Sequence, residues 1–363
     1  MNLVRLLAIV VKELRQLRRD RLSLAMIIGI PTLQLLLFGF AINLDVRGLS
    51  AAVLDQADSA RSRELIAGMA ATGVIDLRRQ AHTPQQLDDW LRRGDISLAM
   101  VIPVDFEARL ERRDRPALQV IVDGSDQVIQ SAARQLAAYP VYGVNGWTQR
   151  INPVEVVNFY NPERRAPVNT VPGLIGVILT MTMVLFTAVA LVRERERGNL
   201  EMLIATPVSP WELTLGKVLP FIGIGLIQVS VVLLLGRLVF AVPIRGDLFD
   251  VYLATFVFIV ASLSLGVFLS TLARSQFQAM QMAFFTFLPQ ILLSGFMFPF
   301  AGMPQPAQWL AEILPMTHFM RLIRGLMLRG AELTELWPDL GALCLFSLVF
   351  LGLSTLRVHK RLD

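Results

Sequence analysis

Few residues of this 363-residue chain are placed to do chemistry. His82, His318 and His359 are scattered, with no ligand-like spacing to a carboxylate, so no metal site is expected. Glu312 and His318 can meet across Pro315, where a structural pair or a solvent contact is the preferred reading. No G-x-x-x-x-G-K-[ST] phosphate loop occurs, so the chain is not expected to hold nucleotide by itself. A membrane-embedded hydrolase would need paired carboxylates, a histidine cluster or a Ser/Lys dyad within the apolar runs, and these are missing. What remains is LVRERERGNLEMLIATPVSPWE, Leu191 to Glu212, a charged segment between two long apolar runs. Glu194 with Arg197, Arg193 with Glu196, and Arg197 with Glu201 are spaced three or four apart, as ion pairs on a helix are. Ser209 and Glu212 form a capping box with Pro210 at the first helical position, so a second helix opens after Thr206 and Pro207. Leu200, Met202, Leu203 and Ile204 add an apolar patch. Rim charges that orient and apolar side chains that give area suit the segment to docking a protein. The alternative is a solvated loop whose arginines only set topology.

The elements that must position this segment are membrane helices. Hydrophobic residues make up 54% of the chain and charged ones 17%, against about a quarter charged in soluble domains. A spanning helix needs about 20 mostly apolar residues. Six runs qualify, at about 22–42, 171–192, 218–242, 250–273, 277–299 and 339–357. Lysines and arginines near their ends (Lys12 to Arg21, Arg193 to Lys217, Arg274, Arg357 to Arg361) fall on one side, which makes both termini and the charged segment cytoplasmic. Arg321, Arg324 and Arg329 disagree, because a six-span count puts residues 300–338 outside. Arg237 is the one charge well within a run, close enough to its outer end to snorkel. The net charge of +5 is explained by cytoplasmic loops, and no nucleic-acid partner is expected. Cys344, the single cysteine, allows no intrachain disulfide.

Residues 1–21 read as an amphipathic helix in the membrane interface, with Leu3, Leu6, Leu7, Val10, Val11, Leu14 and Leu17 on one face, and the apolar run that follows, which has no small-residue cleavage site, as an uncleaved anchor. Residues 43–170 have an ordinary polar composition. LSAAVLD, ISLAMVIP and ALQVIVDGS read as buried strands, VEVVNFYN as a returning strand, PQQLDDWLRRG as a helix capped by Thr83, and 126–147 as a longer helix. The expected fold class is therefore a polytopic α-helical membrane protein of six spans, with an α/β extracytoplasmic domain inserted between spans one and two.

These residues resemble a family. Glu194-Arg195-Glu196, Gly198, Glu201, Leu203 and Thr206-Pro207 are similar to the E-R-E-x-G-x-x-E-x-L-x-x-T-P signature of the permease subunits of ATP-binding-cassette exporters, type-2 class. Gly216-Lys217 with Pro220 agrees, as does the late run through Ser294, Gly295, Phe298, Pro299, Met303, Pro304, Pro315, His318, Phe319, Arg324, Gly325 and Gly330. The resemblance covers essentially the whole chain, the large external domain included, and points to the drug-exporter-like branch. Asn199 stands where threonine is commoner.

The resemblance implies that residues 193–217 form a coupling helix docking on a cytoplasmic ATPase, with Glu194, Arg195, Glu196, Gly198, Glu201, Leu203, Thr206 and Pro207 as the transmission site. It also implies short re-entrant helices at about 303–329, with Ser294, Gly295, Pro299, Pro304, Pro315, His318, Arg324 and Gly325 in the exit region; the alternative there is an ordinary external loop. The expected partners are ATPase subunits, a second permease in a homodimer or a similar paralogue, membrane lipids and, optionally, a periplasmic adaptor. ATP and Mg would be held by the ATPase and no cofactor by this chain, in a bacterial inner membrane. Spans almost free of charge suit a hydrophobic or amphipathic substrate better than an ion. A sensor with an external ligand-binding domain is the alternative.

Overall fold

The computed structural model describes residues 48–112, 114–137, 153–196, 210–298 and 300–359. The expected interfacial helix 1–21 and first span 22–42 lie outside the described residues.

An α/β unit comes first. Strands β1 (Leu49–Asp55), β2 (Ile75–Gln80), β3 (Leu98–Ile102), β4 (Leu118–Asp123) and β5 (Val154–Phe159) form one sheet in the order β2-β1-β3-β4-β5. Neighbours run parallel except β3 and β4, which are antiparallel. Alternation along the strands sends side chains to opposite faces. Leu49, Ala51 and Val53 meet helices α1 (Ala60–Ala71), α3 (Phe106–Arg112) and α4 (Gln127–Ala137) on one face. Ala52 and Leu54 meet α2 (Pro84–Arg93) on the other. Cover on both faces is why LSAAVLD reads as a continuous apolar run. The sequence reading has no counterpart for β2, whose IDLRRQ alternates weakly, or for α1; of the helix expected over 126–147, α4 occupies Gln127–Ala137 and 138–152 lie outside the described residues.

Helix α2 begins as its capping residues dictate. The Gln86 backbone N–H donates to Thr83 Oγ1 at 3.4 Å, while the Gln86 side-chain oxygen takes the backbone N–H of His82, not Thr83, at 2.9 Å. Gly94 ends it in the left-handed region at φ 79°. Thr83→Ala is expected to cost about 1 kcal/mol, read as a lower thermal midpoint of the purified chain.

A helical bundle follows. Its long helices are α5 (Ala166–Glu196), α6 (Pro210–Leu238), α7 (Leu248–Leu272), α8 (Gln276–Leu293) and α11 (Trp337–His359). Four described helices are long and apolar enough to cross a membrane: α5, α7, and the Leu219–Leu238 and Trp337–Leu356 parts of α6 and α11. The fifth expected span corresponds to α8, which is not among the four; Gln276, Gln278, Gln281 and Gln290 dilute its 18 residues. Short helices α9 (Gln305–Glu312) and α10 (Pro315–Arg324), with a π turn at Gly325–Arg329, fill the stretch before α11. At 1.5 Å per residue they reach about 12 and 15 Å, well short of a bilayer's roughly 30 Å core.

Helix α7 is the hub: 72% of its most apolar stretch is buried, against 22% of that of α6 and 17% of that of α11. Its Ala254, Ala261, Ser262 and Gly266 let neighbours approach closely; a Cβ on Gly266 would stand 2.9 Å from the Val184 carbonyl of α5. Phe258 of α7 stacks on Phe319 of α10, ring centroids 4.1 Å apart. By contrast α6 and α11 turn Ile227, Leu234, Leu348 and Leu356 outward, a surface suited to lipid or a second chain.

Candidate functional site

The bundle has two chemically distinct ends. Helix α5 leaves the α/β unit at Ala166 and ends at Glu196 on the far side, where α7 stops and α8 starts. The Arg195 guanidinium donates to the carbonyls of Ser270, at 3.1 Å, and Ala273, at 3.4 Å, capping the C-terminus of α7. The Glu196 carboxylate accepts the backbone N–H of Gln276, at 2.9 Å, and its side-chain amide, at the N-terminus of α8. A cation on a helix C-terminus and an anion on a helix N-terminus both match the helix dipoles. The charged segment is thus rooted in the α7–α8 turn. Glu194 is engaged as well. Gly198, Glu201, Leu203, Thr206 and Pro207 lie outside the described residues.

At the other end the α/β unit docks on the bundle through arginines. Arg165 donates to the carbonyls of Phe240 and Ala241 beyond α6. Arg245 donates to the Tyr160 carbonyl at 3.2 Å and covers its ring; burial pushes the Tyr160 hydroxyl up to about 12. Arg324 pairs with Asp126 at 3.3 Å, and Arg329 approaches Asp123 at 3.8 Å. Arg92 and Arg93 of α2 share Glu335, at 3.0 and 3.3 Å. Between the two bodies lies a cavity of about 510 Å³, walled by Ser50, Ser97, Asp123 and Asp126 on the sheet side and by Thr317, Arg321, Arg324 and Arg329 on the bundle side.

Arg321, Arg324 and Arg329, which fit poorly with a charge rule for loops, each have an acidic neighbour here. Arg321 is clamped by Glu312 and approaches Asp339 at 3.5 Å. His318 meets Glu312 across Pro315, through the Glu312 carbonyl at 2.9 Å, while its Nδ1 lies 2.7 Å from Asp339. Both ring nitrogens face acceptors, so the ring is satisfied as imidazolium. Burial alone would lower its pKa, but the bonds to Asp339 and the Glu312 carbonyl outweigh it and hold it above the ordinary value. The contact is complete at low pH and is lost as pH rises through that raised value.

The remaining exit-region residues mark breaks in the chain. Ser294 caps α8 and Gly295 turns at φ 84°. Pro304 precedes α9 and Pro315 opens α10. Gly325 starts the π turn beneath Leu336, whose Cδ1 would be 2.6 Å from an added Cβ. Pro299 lies outside the described residues. Arg237 is exposed in the last turn of α6, as snorkelling requires. Sequence reasoning missed the acidic half of the interface: Asp123, Asp126, Glu335 and Asp339. The available signal was an excess of arginines in 300–338 facing a domain rich in carboxylates on the same side of the bundle.

Long apolar helices packed round α7 and topped by an α/β unit define a multi-pass membrane protein. The chain belongs to the ABC-2 family of transporter proteins, whose family model matches residues 21–356. It is similar to the probable multidrug ABC transporter permease YbhS of Escherichia coli (strain K12), 31% identical over 373 residues that cover 99% of this chain and 98% of that one. It is 29% identical to the probable multidrug ABC transporter permease YbhR of the same organism, over 93% of each chain. The inner membrane transport permease YhhJ, also from that strain, is 27% identical over 96% of each. The chain is thus an ABC-2 transporter permease, in the class that the E-R-E-x-G run resembles.

Proposed function

We propose that the chain is the permease half of an ATP-driven exporter of hydrophobic or amphipathic compounds. The observation that carries this reading is the anchoring of Arg195 and Glu196 to the α7–α8 turn. A push on residues 197–209 would be delivered at once to α5, α7 and α8, which suits a loop that docks on a separate ATPase. In this reading ATP and Mg belong to the ATPase subunits. Glu194, Arg195, Glu196, Gly198, Glu201, Leu203, Thr206 and Pro207 transmit its movement. The chain has six spans, with residues 22–42 as the first and α8 as the fifth, both termini in the cytoplasm of a bacterial inner membrane and the α/β unit outside.

The glutamine-bearing α8 suits a place inside a dimer of permeases better than one in lipid, since lipid offers its amides no partners. The short helices α9 and α10 are re-entrant: His318 and Arg321 pair with Glu312 and Asp339 inside the bundle, and Arg324 pairs with Asp126 of the α/β unit. A periplasmic adaptor would meet the α/β unit. The names of the relatives, multidrug permeases among them, support a drug-like or lipid-like substrate. A sensor role gains nothing from these relatives, each of which is named a permease.

The test is co-purification with an ATPase subunit encoded beside this chain, followed by Glu201→Arg with Leu203→Asp. Reversed charge and a buried carboxylate at the docking patch are expected to abolish both the association and ATP-dependent efflux of amphipathic dyes. Full association and efflux in that variant would remove the coupling assignment.

A further inference from the structure

Arg324 and Arg329 reach the cavity from the end of α10 and from its π turn. Their side chains are 15% and 9% exposed. A guanidinium stays charged and presents a planar fork of N–H donors. Within the described residues each makes one hydrogen bond, Arg324 to Asp126 at 3.3 Å and Arg329 to the Arg321 carbonyl at 3.5 Å. Asp123 stands 3.8 Å from Arg329, beyond hydrogen-bond reach. Arg321 is different, with Glu312, Asp339 and the Phe300 ring all against it. Two withdrawn cations with unspent donors therefore border a space of about 510 Å³, and buried donors call for acceptors. Ser50 and Ser97 line the same space; the Ser97 N–H donates to the Ser50 carbonyl at 2.8 Å, while their hydroxyls meet each other only at 3.4 Å.

The depth of this space is marked independently. Helix α9 turns Trp309 and Ile313 outward and α11 opens on Trp337, at 69%, 66% and 69% exposure. Exposed tryptophans at this end of the bundle, one of them opening an apolar helix, mark the headgroup level of a bilayer. Gln308, beside Trp309, lines the cavity.

We propose that this cavity is a binding site for an oxyanion, a phosphate or carboxylate group, taken up by the forks of Arg324 and Arg329 at headgroup depth. The site stands or falls independently of the transport reading, since binding to the purified chain requires no ATPase.

The experiment is calorimetric titration of the full chain, in a detergent with a neutral headgroup, with inorganic phosphate and separately with dodecyl phosphate. Saturable binding of one probe per chain is expected. Hydrogen exchange should slow in peptides covering 94–97 and 315–330, a readout on the unmodified protein. Arg324→Lys with Arg329→Lys keeps both charges but loses the forks, and is expected to weaken binding at least tenfold. Ser97→Phe, which fills the cavity without touching an arginine, is expected to do the same. Equal affinity for both probes assigns the site to a free anion, and binding of dodecyl phosphate alone assigns it to an amphiphile's headgroup. No saturable binding of either probe, slowed exchange elsewhere only, or unchanged affinity in a folded variant overturns the proposal.

Discussion

Arg329→Met is expected to destabilise the folded chain by about 3 kcal/mol, the lower end for breaking a buried ion pair. Arg329 and Asp123 are both nine-tenths or more buried, so loss of the guanidinium leaves the Asp123 carboxylate in the interior with, among the described residues, only the Ser125 backbone N–H to answer it. The separation of 3.8 Å argues for the lower end, because the attraction being lost is already that of a long pair. Packing is lost as well. A Cβ added to Gly94 would fall 2.2 Å from Arg329 Nη1, which shows how closely the guanidinium covers the end of α2. Methionine fills part of that volume, so most of the loss should be electrostatic. Asp123→Asn in the same chain should restore at least half of the stability, as removing both charges removes the unpaired one. Thermal unfolding of the two single variants and the double variant in one detergent measures this. Independent, additive losses would mean that the two residues do not act as a pair.

Phe319→Ala is expected to cost about 4 kcal/mol, within the range for emptying a buried aromatic position. The ring is fully buried, stacked on Phe258, and lies 3.0 Å from where a Cβ on Gly176 of α5 would stand. It therefore ties α10 to both α5 and α7. Water provides no hydrophobic drive between helices in a bilayer, so contacts like this supply much of the packing. Phe319→Leu, which retains most of the volume, should cost about 1.5 kcal/mol. The comparison of thermal midpoints checks the order. Equal losses for the two substitutions would indicate that the stacked geometry, and not the filled volume, holds α10 in place.

The elements were unequally visible in the sequence. Strands β1, β3 and β4 stood out because both faces of the sheet are covered, which turns a strand into an apolar run with sharp ends, and the edge strand β5 kept Val154, Val156 and Val157. Strand β2, at the other edge, escaped because Asp76, Arg78, Arg79 and Gln80 all face water, so its sequence carries little apolar signal. Helix α2 announced itself through Thr83, Pro84 and Gly94, local signals that need no tertiary partner. The short helices α9 and α10 were signalled by Pro304 and Pro315, since proline is accepted at a helix start and breaks a helix interior.

Of the candidate site, the sequence supplied the residues and not their partners. The ABC-2 membership and the apolar helices follow from residue types and their order along the chain, information that one dimension holds completely. That Arg195 would cap α7 while Glu196 caps α8 depends on three helix ends meeting. That Arg324 would find Asp126 across 198 positions, and Arg92 Glu335 across 243, depends on where the α/β unit docks. Charge counting along the chain treated those arginines as exceptions to a rule about loops. Only the tertiary structure brings them opposite carboxylates, because the energy of an ion pair depends on distance and burial, and neither is written in sequence separation.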